Sequence, residues 1–533
     1  MASNVRSATE ESVGCLCYAN QEKGITGIIK HRYCDFHVHE LDSSNNIIKL
    51  KSLEVLPEPE FPEGFLNWEQ SNDVFFKFSL NDNNVLPLIY FKYPHLSIQV
   101  NEGMVTIERT AKKRPRPLIF CGTLYKENMN QQEALARISQ KLNIPKQKIG
   151  IAGNKDKRAI TTQMITLQTI KASQLPLLKS LHDKIRLGDI GLAMTPLSLG
   201  DHEGNNFNIV IRDISIPESK IFAEVKKGIE KRVNALLKYG FINYFGMQRF
   251  GSTSTPTYTL GKYVLQKNWK KVVDLILEPN PNEQQQVYEV KLQYSKTKDA
   301  KEAFMKLPKS CSTERAIFKK LMADPKLINR PSELFHSIER RQRMLYVHSY
   351  QSYIWNHHAS VRIQKHGMKV YYGDIVVDPT GGLVIVNDSN INEFSIFDIV
   401  IPLQTTQQPS PYIKHILDAD GITPEMFSSL HDLGLQGSNR RLFSMPNCFE
   451  WDLIQHDDKD APLVDSDLDI MNGLTNKSNW VEGGKYTSLR VSFNLGSGQY
   501  ATMVLRELIK RSTEWWTDSD MSNKKESKFR CEI

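Results

Sequence analysis

The tetrapeptide Lys155-Asp156-Lys157-Arg158 sets one carboxylate among three cations. Flanking cations favour the ionised form, so Asp156 is expected to be a permanent anion, available as a nucleophile or as a weak base. Ile149, Gly150, Ile151 and Ala152 read as the end of a buried strand. Gly153 and Asn154 are residue types that accept tight or positive-φ backbone, which would turn the chain sharply and put Asp156 at a strand end. The same residues would also suit a solvated turn with weak surface ion pairs. A second stretch, GFINYFGMQRFG, gathers aromatics beside amides and a guanidinium. Such a set can hold an unstacked base and its phosphate, or it can pack two domains together.

The elements around these residues point to an α+β fold. FCGTLYKENMNQQEALARISQKLNIP reads as a strand and then a helix that Asn130 caps and Pro145 stops. Beyond Gln163, MITLQTI and the run from Ile185 to Ile214 supply further strands, so a mixed or antiparallel sheet is expected. Ile221, Val225, Ile229, Val233, Leu236 and Leu237 form one helical stripe ending at Gly240. From Tyr258 to Ser438 the pattern is mostly helical, which suggests a domain inserted into the first. SLRVSFNLGSGQYATMVLRELIK then reads as strand, Gly-Ser-Gly turn and helix. Earlier, in CDFHVHE, Phe36, Val38 and Glu40 share one face of an edge or half-buried strand. His37 and His39 are expected to be exposed on the other face, without the partners a metal needs. Phe36 reads as core or as a stacking platform.

At 533 residues, 40% hydrophobic and 24% charged, the chain is expected to be a multidomain soluble protein. No apolar run approaches the ~20 residues that span a bilayer. The start lacks an apolar leader, so an intracellular protein with its seven cysteines reduced is expected. The formal charge of +8 suits a polyanionic partner, and the cations cluster: Lys112, Lys113, Arg114 and Arg116; the set around Asp156; Arg440 and Arg441. AKKRPRP also reads as a nuclear-import signal.

AGNKDKRAITTQ, NYFGMQRFG, HSYQSYIWN and GSGQYATMVLREL, in this order, resemble the TruD family of RNA pseudouridine synthases. FCGTLYKENMNQQEA and IKHRYCDFHVHE fit the same family, and the resemblance runs from Lys30 to Lys510. The length, the long N-terminal region and the QSYIWN wording look like its eukaryotic, mainly nuclear branch. The resemblance implies an isomerase that converts uridine to pseudouridine in RNA with no cofactor and no metal. Asp156 matches the family's catalytic aspartate, Phe36 an aromatic stacked on the target uracil, Asn243 a substrate-contacting asparagine and Tyr500 a second ring beside the pocket. Lys30 falls at the place of a basic residue near the aspartate, and Arg158 or Arg249 could hold flanking phosphates.

The implied fold is a pseudouridine synthase catalytic domain, discontinuous in sequence, with an inserted, mostly helical TRUD domain. The boundaries read as a disordered N-terminus (1–24), a first catalytic segment (25–240, with a polar insertion at about 41–115 of little secondary structure), the insert (241–445), a second catalytic segment (446–516) and a mobile tail (517–533). The partners implied are tRNA, with snRNA and mRNA open, for a monomer without a membrane. Residence in the nucleus is expected, with the cytoplasm open. The chain departs from the family at Asn130-Gln131, where Asp-Thr is usual, at Gln499 for Ser, at Tyr500 where bacterial relatives carry Phe, and at PLQTTQQ after Ile401, where a Pro-Leu-Pro-Gly turn is usual. The alternative is an RNA-binding protein or RNA chaperone of the same fold that acts without turnover.

Overall fold

The computed structural model describes residues 8–54, 60–79, 85–93, 95–101, 103–109, 119–219, 221–251, 255–403, 409–430, 433–435 and 437–511. The AKKRPRP run, residues 404–408 of PLQTTQQ and the tail from 517 lie outside them. The chain divides into two units, residues 26–226 with 446–499, and residues 1–25 with 227–445 and 500–527.

A nine-stranded mixed sheet dominates the first unit. Its strands are β1 (Thr26–Ile29), β2 (Phe36–Leu41), β3 (Ile119–Glu127), β4 (Ile149–Ile151), β5 (Ile160–Gln168), β6 (Ile185–Ala193), β7 (Gly204–Ser215), β8 (Asn447–His456) and β9 (Tyr486–Gly496). The order is β8-β9-β7-β2-β5-β3-β6, with β1 on β7 and β4 on β5. Only β2 and β5 run parallel; the other pairs are antiparallel. The expected α+β class with a mixed sheet therefore holds. Helix α1 (Gln131–Leu142) packs Leu135, Ile138 and Leu142 into a core with Leu124, Ile151, Ile165 and Leu187. The Asn130 side chain accepts from Gln132 N at 2.8 Å, so the departure at Asn130-Gln131 leaves the cap intact.

Three expectations about this unit need correction. β2 is no edge strand: it lies between β7 and β5, and all six of its residues are buried. His37 and His39 are buried with it, because each finds an acceptor: His37 Nε2 meets the nearby Cys34 carbonyl at 2.9 Å and His39 Nε2 meets Asp467 Oδ1, distant in sequence, at 2.9 Å. The insertion at 41–115 carries more secondary structure than expected. It carries a three-stranded antiparallel sheet (Phe75–Ser79, Met104–Arg109, Leu96–Asn101) and the helices Phe65–Gln70 and Val85–Lys92. Phe65, Trp68, Ile89, Val105 and Ile107 form its own small core.

The second unit is mostly helical, with a four-stranded sheet of residues 375–441 beside the helices. It includes residues from α2 (Phe222–Tyr239), all of α3 (Arg340–His366) and α4 (Ala501–Ile509). Residues 8–24 are not disordered but strapped to this unit. Arg506, on α4, donates to Glu10 Oε2 at 2.7 Å and to the carbonyls of Cys17 (2.7 Å) and Cys15 (2.9 Å), while its face lies 3.9 Å from the Tyr18 ring. Val13, Cys15 and Ala19 are buried in consequence. Among the described residues no helix is long and apolar enough to cross a membrane.

Candidate active site

Asp156 lies in the connection between β4 and β5, which pair antiparallel. Gly150 lets that pair close: a Cβ there would stand 2.3 Å from Thr166 Oγ1 and 2.5 Å from the Leu197 carbonyl. The chain turns there as expected, but of the two backbone forms open to it positive φ is not used, at Gly153 or at Asn154. The turn is held by hydrogen bonds, Gln163 Nε2 to the Gly153 carbonyl at 3.0 Å and Gly200 N to the Ala152 carbonyl at 2.8 Å.

Three lysines surround the carboxylate. Lys30 Nζ donates to Asp156 Oδ2 at 2.9 Å, with Lys30 2% and Asp156 27% exposed at their side chains. Lys126, fully buried on β3, donates to the Asp156 backbone carbonyl at 2.5 Å. Lys155 is matched by Glu40 at 2.6 Å, both buried, and Glu40 also accepts from Met164 N. Burial works to raise the Asp156 pKa, but Lys30, then Lys126 and Lys155, outweigh it, and the carboxyl is held below the ordinary aspartate value. At Lys155 the balance is reversed: burial prevails over the pull of Glu40 and lowers its pKa. The arrangement is an accessible, permanently ionised carboxylate on a buried cationic floor, suited to attack an electrophilic carbon or to draw off a proton.

Lys30 reaches this floor through a rare backbone conformation. Its φ is +52°, at the end of β1, a left-handed geometry that costs a non-glycine residue roughly 1–2 kcal/mol. Arg158 holds it there, donating to the Lys30 carbonyl at 3.2 and 3.3 Å and to the His31 carbonyl at 3.0 Å. Its Nε and Nη2 are thus engaged with the backbone that carries Lys30. Lys30 Nζ also sits 4.1 Å from the Phe36 ring centre. Phe36 is 2% exposed and meets Phe207 edge to face at 6.1 Å. Asp156, Lys30, Phe36 and Arg158 are thus brought together in the first unit.

Asn243, Tyr500 and Arg249 belong to the second unit. NYFG is not an open aromatic platform: Asn243, Tyr244 and Phe245 are buried. Tyr244 Oη and Ser360 Oγ lie 2.5 Å apart, and the N-terminal strap donates to Tyr244 through Cys17 N at 3.2 Å. Gly246 admits Tyr500, since a Cβ there would stand 2.9 Å from its ring. Arg440 binds this group together. It donates to the carbonyl of Asn243 (2.8 Å) and to Oδ1 (2.7 Å), with its guanidinium carbon 4.1 Å from the Phe245 ring centre and 5.9 Å from that of Tyr500. Arg441, by contrast, is exposed, so the two arginines of that basic pair do different work. Arg249 lies 5.6 Å from the Phe245 ring centre, and its buried Nε has no hydrogen-bond partner among the described residues. Lys126, Glu40 and Arg440 were not singled out for the site from sequence. Their partners are far away in the chain, and only the inward-facing charge of Lys126 on an otherwise buried strand offers a local sign.

A family model described as tRNA pseudouridine synthase D (TruD) matches residues 99–508. The human pseudouridylate synthase 7 homolog is 31% identical, the alignment covering 95% of this chain and 81% of that protein. The multisubstrate pseudouridine synthase 7 of Schizosaccharomyces pombe is 33% identical over 73% of this chain and 62% of its own. A Methanosarcina mazei crystal structure, assigned as a tRNA pseudouridine synthase D, shares the fold with a TM-score of 0.57 at 23% identity, covering 94% of this chain and 97% of that one.

Proposed function

We propose roles for the residues of the site from one premise: the chain belongs to the TruD family of pseudouridine synthases, matched over residues 99–508. The enzyme isomerises uridine to pseudouridine in RNA. The reaction breaks the bond from sugar C1′ to uracil N1, turns the base, and joins C1′ to C5, with the C5 proton lost and N1 protonated. In this reading Asp156 supplies the carboxylate, either by attacking C1′ or by removing a proton at the sugar. The observation that carries the assignment is the ion pair to buried Lys30, which keeps an accessible carboxylate ionised. Phe36 and Tyr500 are the rings that flank the uracil, Asn243 meets its edge, and Arg249 takes a flanking phosphate. Extruding the base costs a few kcal/mol, which such contacts offset. Arg158, which also holds Lys30, is the alternative phosphate contact.

Transfer RNA is the first substrate class in this reading, with snRNA and mRNA beside it; a family described for tRNA and a multisubstrate relative in Schizosaccharomyces pombe support that breadth. The enzyme works as a monomer, and its residence in the nucleus, with the cytoplasm open, is a reading that for the nucleus rests on the basic AKKRPRP run. The test is a pseudouridine-specific primer-stop assay on unmodified total RNA, wild type beside Asp156→Ala. New stops with wild type alone support the assignment and name the substrates. Equal stops with both proteins remove Asp156 from the chemistry. Equal binding without stops from either favours a protein that acts without turnover.

A further inference from the structure

A side-chain amide has two N–H donors and two acceptor lone pairs. Asn243 has one of each committed within its own unit: Oδ1 accepts from Arg440 Nη2 at 2.7 Å, and Nδ2 donates to the Arg441 carbonyl at 3.1 Å. A guanidinium only donates and a carbonyl only accepts. Exchanging the ends of the amide would set donor against donor and acceptor against acceptor, so the network forces one orientation. Arg440 is itself fixed. Its Nε donates to the Asn243 backbone carbonyl at 2.8 Å, and its guanidinium carbon lies 4.1 Å from the Phe245 ring centre and 5.5 Å from that of Trp355. Burial, with Arg249 adding to it and Tyr500 opposing, pushes the Arg440 pKa down to about 10, which leaves it a cation at neutral pH.

We propose that Arg440 is a positioning residue that locks the Asn243 amide in one orientation, and that this lock sets the discrimination of uracil from cytosine. The inference rests on the reading of Asn243 as a contact to the base edge. Uracil presents an N3–H donor flanked by the O2 and O4 acceptors. Cytosine presents an N3 acceptor beside the N4 amino donor. The lone pair and N–H left on Asn243 match uracil in one order, Oδ1 to N3–H and Nδ2 to a carbonyl. The reverse order matches cytosine, so an amide free to turn over would accept either base. The uracil pattern also survives the reaction. Turning the ring about its N3–C6 axis exchanges N1 with C5 and O2 with O4 but leaves N3–H in place. A locked amide therefore holds the base both before and after the C1′–N1 bond gives way to C1′–C5.

The test uses a short RNA carrying a target uridine found by the primer-stop assay, and the same RNA with cytidine at that position. Binding of both is measured for wild type, Arg440→Gln, Arg440→Lys and Asn243→Ala. Wild type should prefer uridine by roughly 10- to 100-fold, the discrimination of one bidentate edge contact. Arg440→Gln, whose own amide can face either way and which leaves only the Arg441 carbonyl to hold Nδ2, should lose a measurable part of that preference, and Arg440→Lys, which keeps only donors, should retain most of it. A purely structural arginine would weaken both RNAs equally and leave the ratio unchanged. If Arg440→Gln keeps the preference while Asn243→Ala loses it, the lock is wrong and the reading of Asn243 stands. If Asn243→Ala keeps it, that reading fails and the lock with it. Where Arg440→Gln does not fold, Arg440→Met, which keeps a stem on Phe245, takes its place with the same expected loss.

Discussion

Replacing Lys30 by Met removes an ammonium and little else. Met is of similar length and suffers the same strain at φ +52°. At 2.9 Å and an effective dielectric of about 20 the attraction between Lys30 and Asp156 is ~6 kcal/mol, offset by a desolvation penalty of several kcal/mol. Removing one partner of a buried pair costs about 3–5 kcal/mol. Asp156 keeps 27% of its exposure, and Lys126 and Lys155 remain, so the lower end, about 3 kcal/mol, applies. For a unit of this size that corresponds to a fall in melting temperature of roughly 6–12 °C at pH 7. The pH dependence follows from the sign of the shift. The folded-state pKa of Asp156 lies below its unfolded value, so its stabilisation is full above the unfolded pKa and is lost as pH falls through the folded one. The gap between wild type and variant should hold from pH 7 to about 5 and narrow below about 4. In the variant burial acts with less opposition, so the acid limb of the kcat profile should move to higher pH. A gap below about 1 kcal/mol at pH 7, or one unchanged down to about pH 3.5, would refute the electrostatic reasoning.

Lys126→Met should also move the acid limb to higher pH, because Lys126 helps to depress the Asp156 pKa; a profile identical to wild type would reduce Lys126 to a packing role. Arg158→Ala should lower kcat through loss of the Lys30 clasp while the slope of log binding constant against log salt stays at its wild-type value; a slope reduced by about 1 would mean a phosphate contact instead. Glu10→Ala leaves Arg506 buried without its carboxylate and should destabilise the helical unit by about 3 kcal/mol, read as a lower melting temperature. An unchanged melt would show the Glu10–Arg506 pair to be dispensable.

What was legible in the sequence is what short-range chemistry encodes. The strand before Asp156, the Asn130 cap and the α2 stripe at Val225, Ile229, Val233 and Leu236 all depend on residues within a turn or two of each other and formed as expected, while Ile221 and Leu237, expected in that stripe, are exposed. What was illegible depends on partners far along the chain. Glu10 meets Arg506 across 496 residues, so a polar N-terminus that reads as disordered is anchored. His39 meets Asp467 across 428 residues, so a polar strand face is buried. Arg440 meets Asn243 across 197, so a basic pair that reads as a surface patch divides into one inward and one outward arginine. The insertion had a local sign that its Asn and Pro content concealed: Phe61, Phe65, Trp68, Phe76, Phe78 and Tyr93 form a small aromatic core.

The claim on which the rest depends is that the Asp156 carboxylate performs the chemistry. Joining C1′ to C5 expels the C5 hydrogen, so release of tritium from RNA labelled at uridine C5 reports that step directly. Single-turnover release should fall to background in Asp156→Ala while affinity for the same RNA is retained. Release from Asp156→Ala within about tenfold of wild type, a barrier difference of only ~1.4 kcal/mol, would contradict the assignment.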